Sequence, residues 1–175
     1  MTVPLGVRAS ALLFATVLIQ AVIVPPYMVA GGAPDLLLLV VISLGLLRGS
    51  TAGAGYGFAG GLLLDLLTLD TLGLSSLVLT LAGFWAGRYG ETTGRGRRLA
   101  PLYSAAVITV LAALFAFLLH LLLGDEVVAR HALVSVLVPT LLLNAALALP
   151  VHALVRAVVH EREPLGPAQR VEVLV

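Results

Sequence analysis

Six apolar runs, parted by charges, prolines and glycines, set the pattern of this chain. The first extends from Ala9 to Val24 and stops at Pro25-Pro26-Tyr27. The others are Leu36–Leu47, Thr51–Leu69, Leu74–Tyr89, Leu99–Leu123 and Ala132 to about Leu149. Each has too few polar positions to make a water-facing surface. In hydrocarbon, backbone groups must be satisfied within the segment, so each run is expected to be a helix. The second run is short. About twelve residues cover roughly 18 Å of a hydrocarbon core about 30 Å thick. It is a thin span, or half of a re-entrant hairpin with the third run. Arg48 favours two true spans, because a buried hairpin tip carrying it would cost roughly 2.5–3.5 kcal/mol.

Beyond Pro150 the pattern changes. Leu154, Val155, Val158 and Val159 share one helical face, and His152, Arg156, His160 and Glu163 the other. A separate amphipathic helix on the inner membrane surface is expected, with a frayed tail past Pro164. The chain thus divides into a six-helix transmembrane domain (1–150) and a cytoplasmic amphipathic helix with its tail (151–175).

Composition agrees with a bilayer as solvent. The chain is 60% apolar and 11% charged, against about 45–50% and about 25% for a soluble domain. Mean hydropathy is +1.10. A net charge of +1 points to no nucleic-acid partner, and the lack of cysteine excludes disulfides and thiolate metal sites. Orientation follows from arginine. With six spans, Arg8, Arg48, Arg88, Arg95, Arg97, Arg98, Arg156, Arg162 and Arg170 fall on one side, and Arg130 alone on the other. That places both termini in the cytoplasm. The first run is read as a span rather than a cleaved signal, since further spans follow at once.

Certain residues stand out against this background. Gly45, Gly49, Gly53, Gly57 and Gly61 recur every four residues, and Gly83 and Gly87 repeat the spacing. Such a face lets another backbone approach closely, in this chain or in a partner. Asp65 lies about one turn from the outer end of the third helix. It is read as a carboxylate at the helix end, a contact to the next turn, a partner contact or a proton site. Asp70-Thr71 is expected to cap the fourth helix, with Leu72-Gly73 making the tight turn. Asn144 lies between Pro139 and Pro150, and its amide is expected to bond across helices or to a freed carbonyl. Gln20 and His120 are weaker cases of the same kind. The sequence has no HExxH, P-loop or GxSxG pattern, and its four His are not at metal-ligand spacing. No cofactor, metal or catalytic residue is expected.

Taken in order, these pieces resemble a known family. Pro34-Asp35 leads into Leu36–Val41, followed by Leu47-Arg48-Gly49, Gly53, Gly57-Phe58 and Gly61. Leu62–Leu67 with Asp65, Leu72-Gly73-Leu74-Ser75, Gly83-Phe84 and Gly87-Arg88 follow. This order resembles the rod shape-determining membrane protein MreD family, most densely over 34–90. Asn144 and Pro150 match a polar-plus-proline pattern in that family's last helix. The resemblance implies an all-α, polytopic membrane bundle similar to the substrate-binding subunits of energy-coupling vitamin transporters. It also implies a non-enzymatic scaffold in the bacterial cell membrane that binds an MreC-like protein. MreB, RodA and a class B penicillin-binding transpeptidase belong to the same elongation machinery. Asp65 and Gly73 match the family's Asp-Leu-Leu aspartate and turn glycine; the Arg-rich inner loop and longer tail depart from the pattern.

The alternative function is a substrate-binding subunit of a vitamin transporter. Ala11 and Ala15, Ala82 and Ala86, and Ala112 and Ala116 have the Ala-x-x-x-Ala spacing such subunits use, but alanine is abundant here. A proton-coupled exporter would need a mid-membrane carboxylate, which the sequence lacks.

Overall fold

The computed structural model describes residues 5–22, 32–69, 71–93, 99–123 and 130–159. Its elements are six α-helices: α1 (Leu5–Val22), α2 (Leu36–Arg48), α3 (Ser50–Thr68), α4 (Leu74–Thr93), α5 (Ala100–Leu123) and α6 (Arg130–Val159). Three of them, α1, α5 and α6, are long and apolar enough to cross a membrane. The second span of the sequence reading becomes the centre of the bundle. Ten of the 13 residues of α2 are buried, and α2 touches all five other helices. A helix apolar on every side suits such a place. It is shielded by protein, so its roughly 20 Å length need not match the hydrocarbon core.

The remaining helices turn large apolar side chains outward. Phe14, Phe58, Trp85, Tyr103 and Leu142 are all more than half exposed. Apolar exposure around the whole bundle far exceeds the patch a soluble monomer carries, and fits a lipid surround. The helices alternate in direction. Gln20 near the end of α1 meets the start of α2, and Glu91 near the end of α4 meets the start of α3.

A single residue joins α2 to α3. Gly49 has φ +95°, and its N–H donates to the Gly45 carbonyl at 2.7 Å. Only glycine adopts that conformation without a steric cost. At the other end of α3, Leu69 takes the left-handed conformation (φ 55°, ψ 31°), its N–H donating to the Asp65 carbonyl. Gly73 follows at φ +92°. The Leu74 N–H donates to the Thr71 carbonyl, so Leu72-Gly73 forms the tight turn with glycine where a type II turn needs positive φ.

One expectation fails at Pro150. Residues 151–159 start no new element: α6 continues through Pro139 and Pro150 to Val159. Ala148, Val155 and Val159 are buried on the face that packs on the bundle. In a membrane bundle, neighbouring helices stabilise a proline-containing helix that would break in water. Residues 160–175, the Arg95–Arg98 cluster and the His120 side chain lie outside the described residues.

Candidate functional site

The most tightly built region is the seam between α3 and α4. Here the glycines expected to meet another backbone meet one in their own chain. A Cβ on Gly53 would stand 2.3 Å from the Gly83 carbonyl oxygen, and one on Gly83 2.1 Å from that of Gly53. A Cβ on Gly57 would stand 2.1 Å from the Leu79 oxygen, on Gly61 2.4 Å from Ser76, and on Gly87 2.3 Å from Ser50. Gly45 of α2 joins the same seam, 2.7 Å from Gly83 by the same measure. Backbone packs on backbone along the whole length, as small-residue spacing allows.

Each end of the seam is held by a carboxylate from the opposite helix. Asp65 on α3 is 1% exposed, and its Oδ2 accepts the Gly73 N–H at 2.8 Å, just before α4 begins. Glu91 on α4 accepts the Ser50 N–H at 2.8 Å and the Ser50 hydroxyl at 3.1 Å, where α3 begins. The residue before each helix is glycine, which has no side chain to cap the orphan N–H groups. The opposite helix supplies the missing oxygen, and its negative charge also suits a helix N-terminus. Glu91 lies beyond the apolar run that ends at Tyr89. The Ser50 N–H beside it holds its carboxyl below the usual range, with the Ser50 hydroxyl and Arg88 acting in the same sense. Arg88 sits 3.5 Å away as an ion pair.

A second polar cluster holds the start of α2 inside the bundle. Asp35 caps its own helix, accepting the Leu38 N–H at 2.9 Å. The Leu36 N–H donates to Gln20 Oε1 at 2.9 Å, and Gln20 Nε2 donates to the Pro34 carbonyl at 3.3 Å. Asn144, fully buried, accepts the Asp35 N–H at 2.8 Å and donates to the Thr109 hydroxyl at 3.1 Å. Its amide therefore joins α2, α5 and α6. The lead-in chain also needs close contact, since a Cβ on Gly32 would meet Pro139 and Thr140 at 2.8 Å. An irregular segment inside an apolar bundle is tolerated only when protein covers it and satisfies its backbone.

Asp65, Gly73 and Gly49 thus serve turns, Gly53, Gly57 and Gly61 serve the seam, and Asn144 serves the α2 cluster. Asp70 lies outside the described residues. Local sequence pattern does not single out Glu91, and it marks Gln20 only weakly. No local spacing signals Glu91, because its partner is 41 residues away. Beside the α2 cluster lies a cavity of about 590 Å³ between α4, α5 and α6. Among the described residues no group of three or more His, Cys, Asp or Glu could hold a metal ion.

In direct comparison with curated proteins the chain has no significant match. A family model described as rod shape-determining protein MreD matches residues 4–161, nearly the whole chain. This assigns the chain to rod shape determination and gives no support to the vitamin-transporter alternative. The match spans the seam, the carboxylate-held turns and the α2 cluster together, and on that ground the chain belongs to the MreD family, membrane proteins that determine rod shape.

Proposed function

We propose that this chain is a non-enzymatic scaffold of the cell-elongation machinery, crossing the cytoplasmic membrane six times with both termini inside. Helix alternation supports the topology. Arg8, Arg48, Arg88 and Arg156 gather toward one end of the bundle, the end that starts α1 and finishes α2, α4 and α6, and arginine marks the cytoplasmic side. The scaffold reading rests on one observation: the conspicuous polar groups and glycines hold the bundle to itself, leaving a rigid body with apolar outer faces. Its partner is an MreC-like membrane protein, with MreB, RodA and a class B penicillin-binding transpeptidase in the same assembly.

Because α4 covers Gly53, Gly57 and Gly61, the partner's membrane helix meets a different face. A groove between α1 and α3 is lined by Phe14, Ala52, Gly55 and Ala59, and a Cβ on Gly55 would meet nothing within 4 Å. Small residues on an outward face allow close helix approach. The test is co-purification of the MreC-like partner in mild detergent. Gly55→Trp should lower recovery at least about tenfold, the equivalent of 1.4 kcal/mol, without unfolding the bundle. Undiminished recovery would place the partner elsewhere, and no recovery by the wild type would remove the scaffold reading.

A further inference from the structure

We infer that the cavity beside the start of α2 binds an amphiphile whose chain lies between α4, α5 and α6 and whose polar end donates hydrogen bonds to Asp35. The inference does not depend on the partner proposed above. The cavity, about 590 Å³, is within the usual range of small-molecule sites, about 300–1,000 Å³. Its walls are apolar, with Leu64, Val78, Ala113, Phe117 and Leu137 among them. Its polar groups are few: Asp35, Thr109, Thr140, Asn144 and Ser75. An apolar body with a few placed polar groups is the usual make-up of a ligand site.

The polar end selects the ligand's chemistry. A bare helix N-terminus would favour an anion. Here that role is already filled, since Asp35, Gln20 and Asn144 take the Leu38, Leu36 and Asp35 N–H groups. What remains is an acceptor. Asp35 uses Oδ1 for Leu38, and its Oδ2 takes no hydrogen bond among the described residues. A carboxylate oxygen beside hydroxyls in an apolar site repels phosphate or carboxylate and suits an ammonium or a hydroxyl. Both sources share one chemistry, a donor at the end of an alkyl chain.

Three probes of equal chain length separate the possibilities: dodecylamine, dodecanol and dodecanoate, titrated onto the purified full chain in detergent and read by thermal unfolding and native mass spectrometry. Dodecylamine should bind at least about tenfold more tightly than dodecanoate, with dodecanol between them if hydroxyl donors are accepted. Asp35→Asn keeps a good N-cap and should erase the preference for dodecylamine over dodecanol. Ala113→Phe, which fills the cavity, should abolish binding of all three. Equal binding of the three probes to the wild type, or binding that survives Ala113→Phe, would overturn the inference.

Discussion

One substitution made at two positions of the same helix should have opposite effects. On α3, Gly53 faces the seam and Gly55 faces outward. Adding a methyl group at Gly53 puts carbon 2.3 Å from the Gly83 carbonyl oxygen and 2.8 Å from the Gly45 Cα. Both obstacles are backbone, so no side chain can rotate away. Ordinary contact needs at least 3.4 Å, so α3 and α4 must separate by on the order of 1 Å, loosening a close-packed interface. Overpacking costs about 1–3 kcal/mol where neighbours can yield. Here the displaced parts are two helices, and the cost should be about 3 kcal/mol. At Gly55 the same methyl group meets nothing, and replacing a mid-helix glycine gains about 0.5–1 kcal/mol. Unfolding in mixed micelles, followed by fluorescence of Trp85, the one tryptophan, measures both. Gly53→Ala and Gly83→Ala together should cost less than their sum, because each pushes apart the same pair of backbones. A Gly53→Ala protein as stable as wild type, or a Gly55→Ala protein equally damaged, would refute a backbone seam at this face.

The other predictions concern the polar groups and the turn. Asn144→Leu leaves the Asp35 N–H without its acceptor in a dry place, and should cost about 2 kcal/mol in the same unfolding assay. Asp65→Ala removes the oxygen on the Gly73 N–H and should cost about 1–2 kcal/mol, with Asp65→Asn less harmful because an acceptor remains. Leu69→Gly should stabilise the fold by about 1 kcal/mol, since Leu69 sits in the left-handed region where only glycine is unstrained. Glu91 has a lowered folded pKa. Its contribution is therefore present above the unfolded carboxylate range and is lost as pH falls through the folded value. Amide exchange at Ser50 should speed up at acid pH in the wild type and be fast and pH-insensitive, after correction for intrinsic rates, in Glu91→Ala.

The legible parts of this fold were those written in local pattern. The helices stand within a few residues of their apolar runs, except that α6 runs on well beyond Leu149 to Val159. Glycine spacing on the third helix marked a close approach, but spacing does not say whose backbone arrives. Asn144 could be read as a group needing a partner across helices, and it has two. The length of α2 left a thin span or half of a re-entrant hairpin open, and nothing in that length told that ten of its residues are buried among the other helices. Pro150 looked like a terminator because a proline in water breaks a helix. Here the buried face of Ala148, Val155 and Val159 carries α6 on. The Glu91–Ser50 contact was not legible, since nothing in a lone sequence ties residues 41 positions apart.

The topology is the claim on which the function rests, and site-directed labelling tests it most directly. The chain has no cysteine, so single cysteines at Thr71 and Thr92, both exposed, can be probed with a membrane-impermeant maleimide on spheroplasts. Thr71→Cys should label in intact spheroplasts, and Thr92→Cys only after lysis. Labelling of Thr92→Cys from outside, with Thr71→Cys protected until lysis, would contradict the proposed orientation.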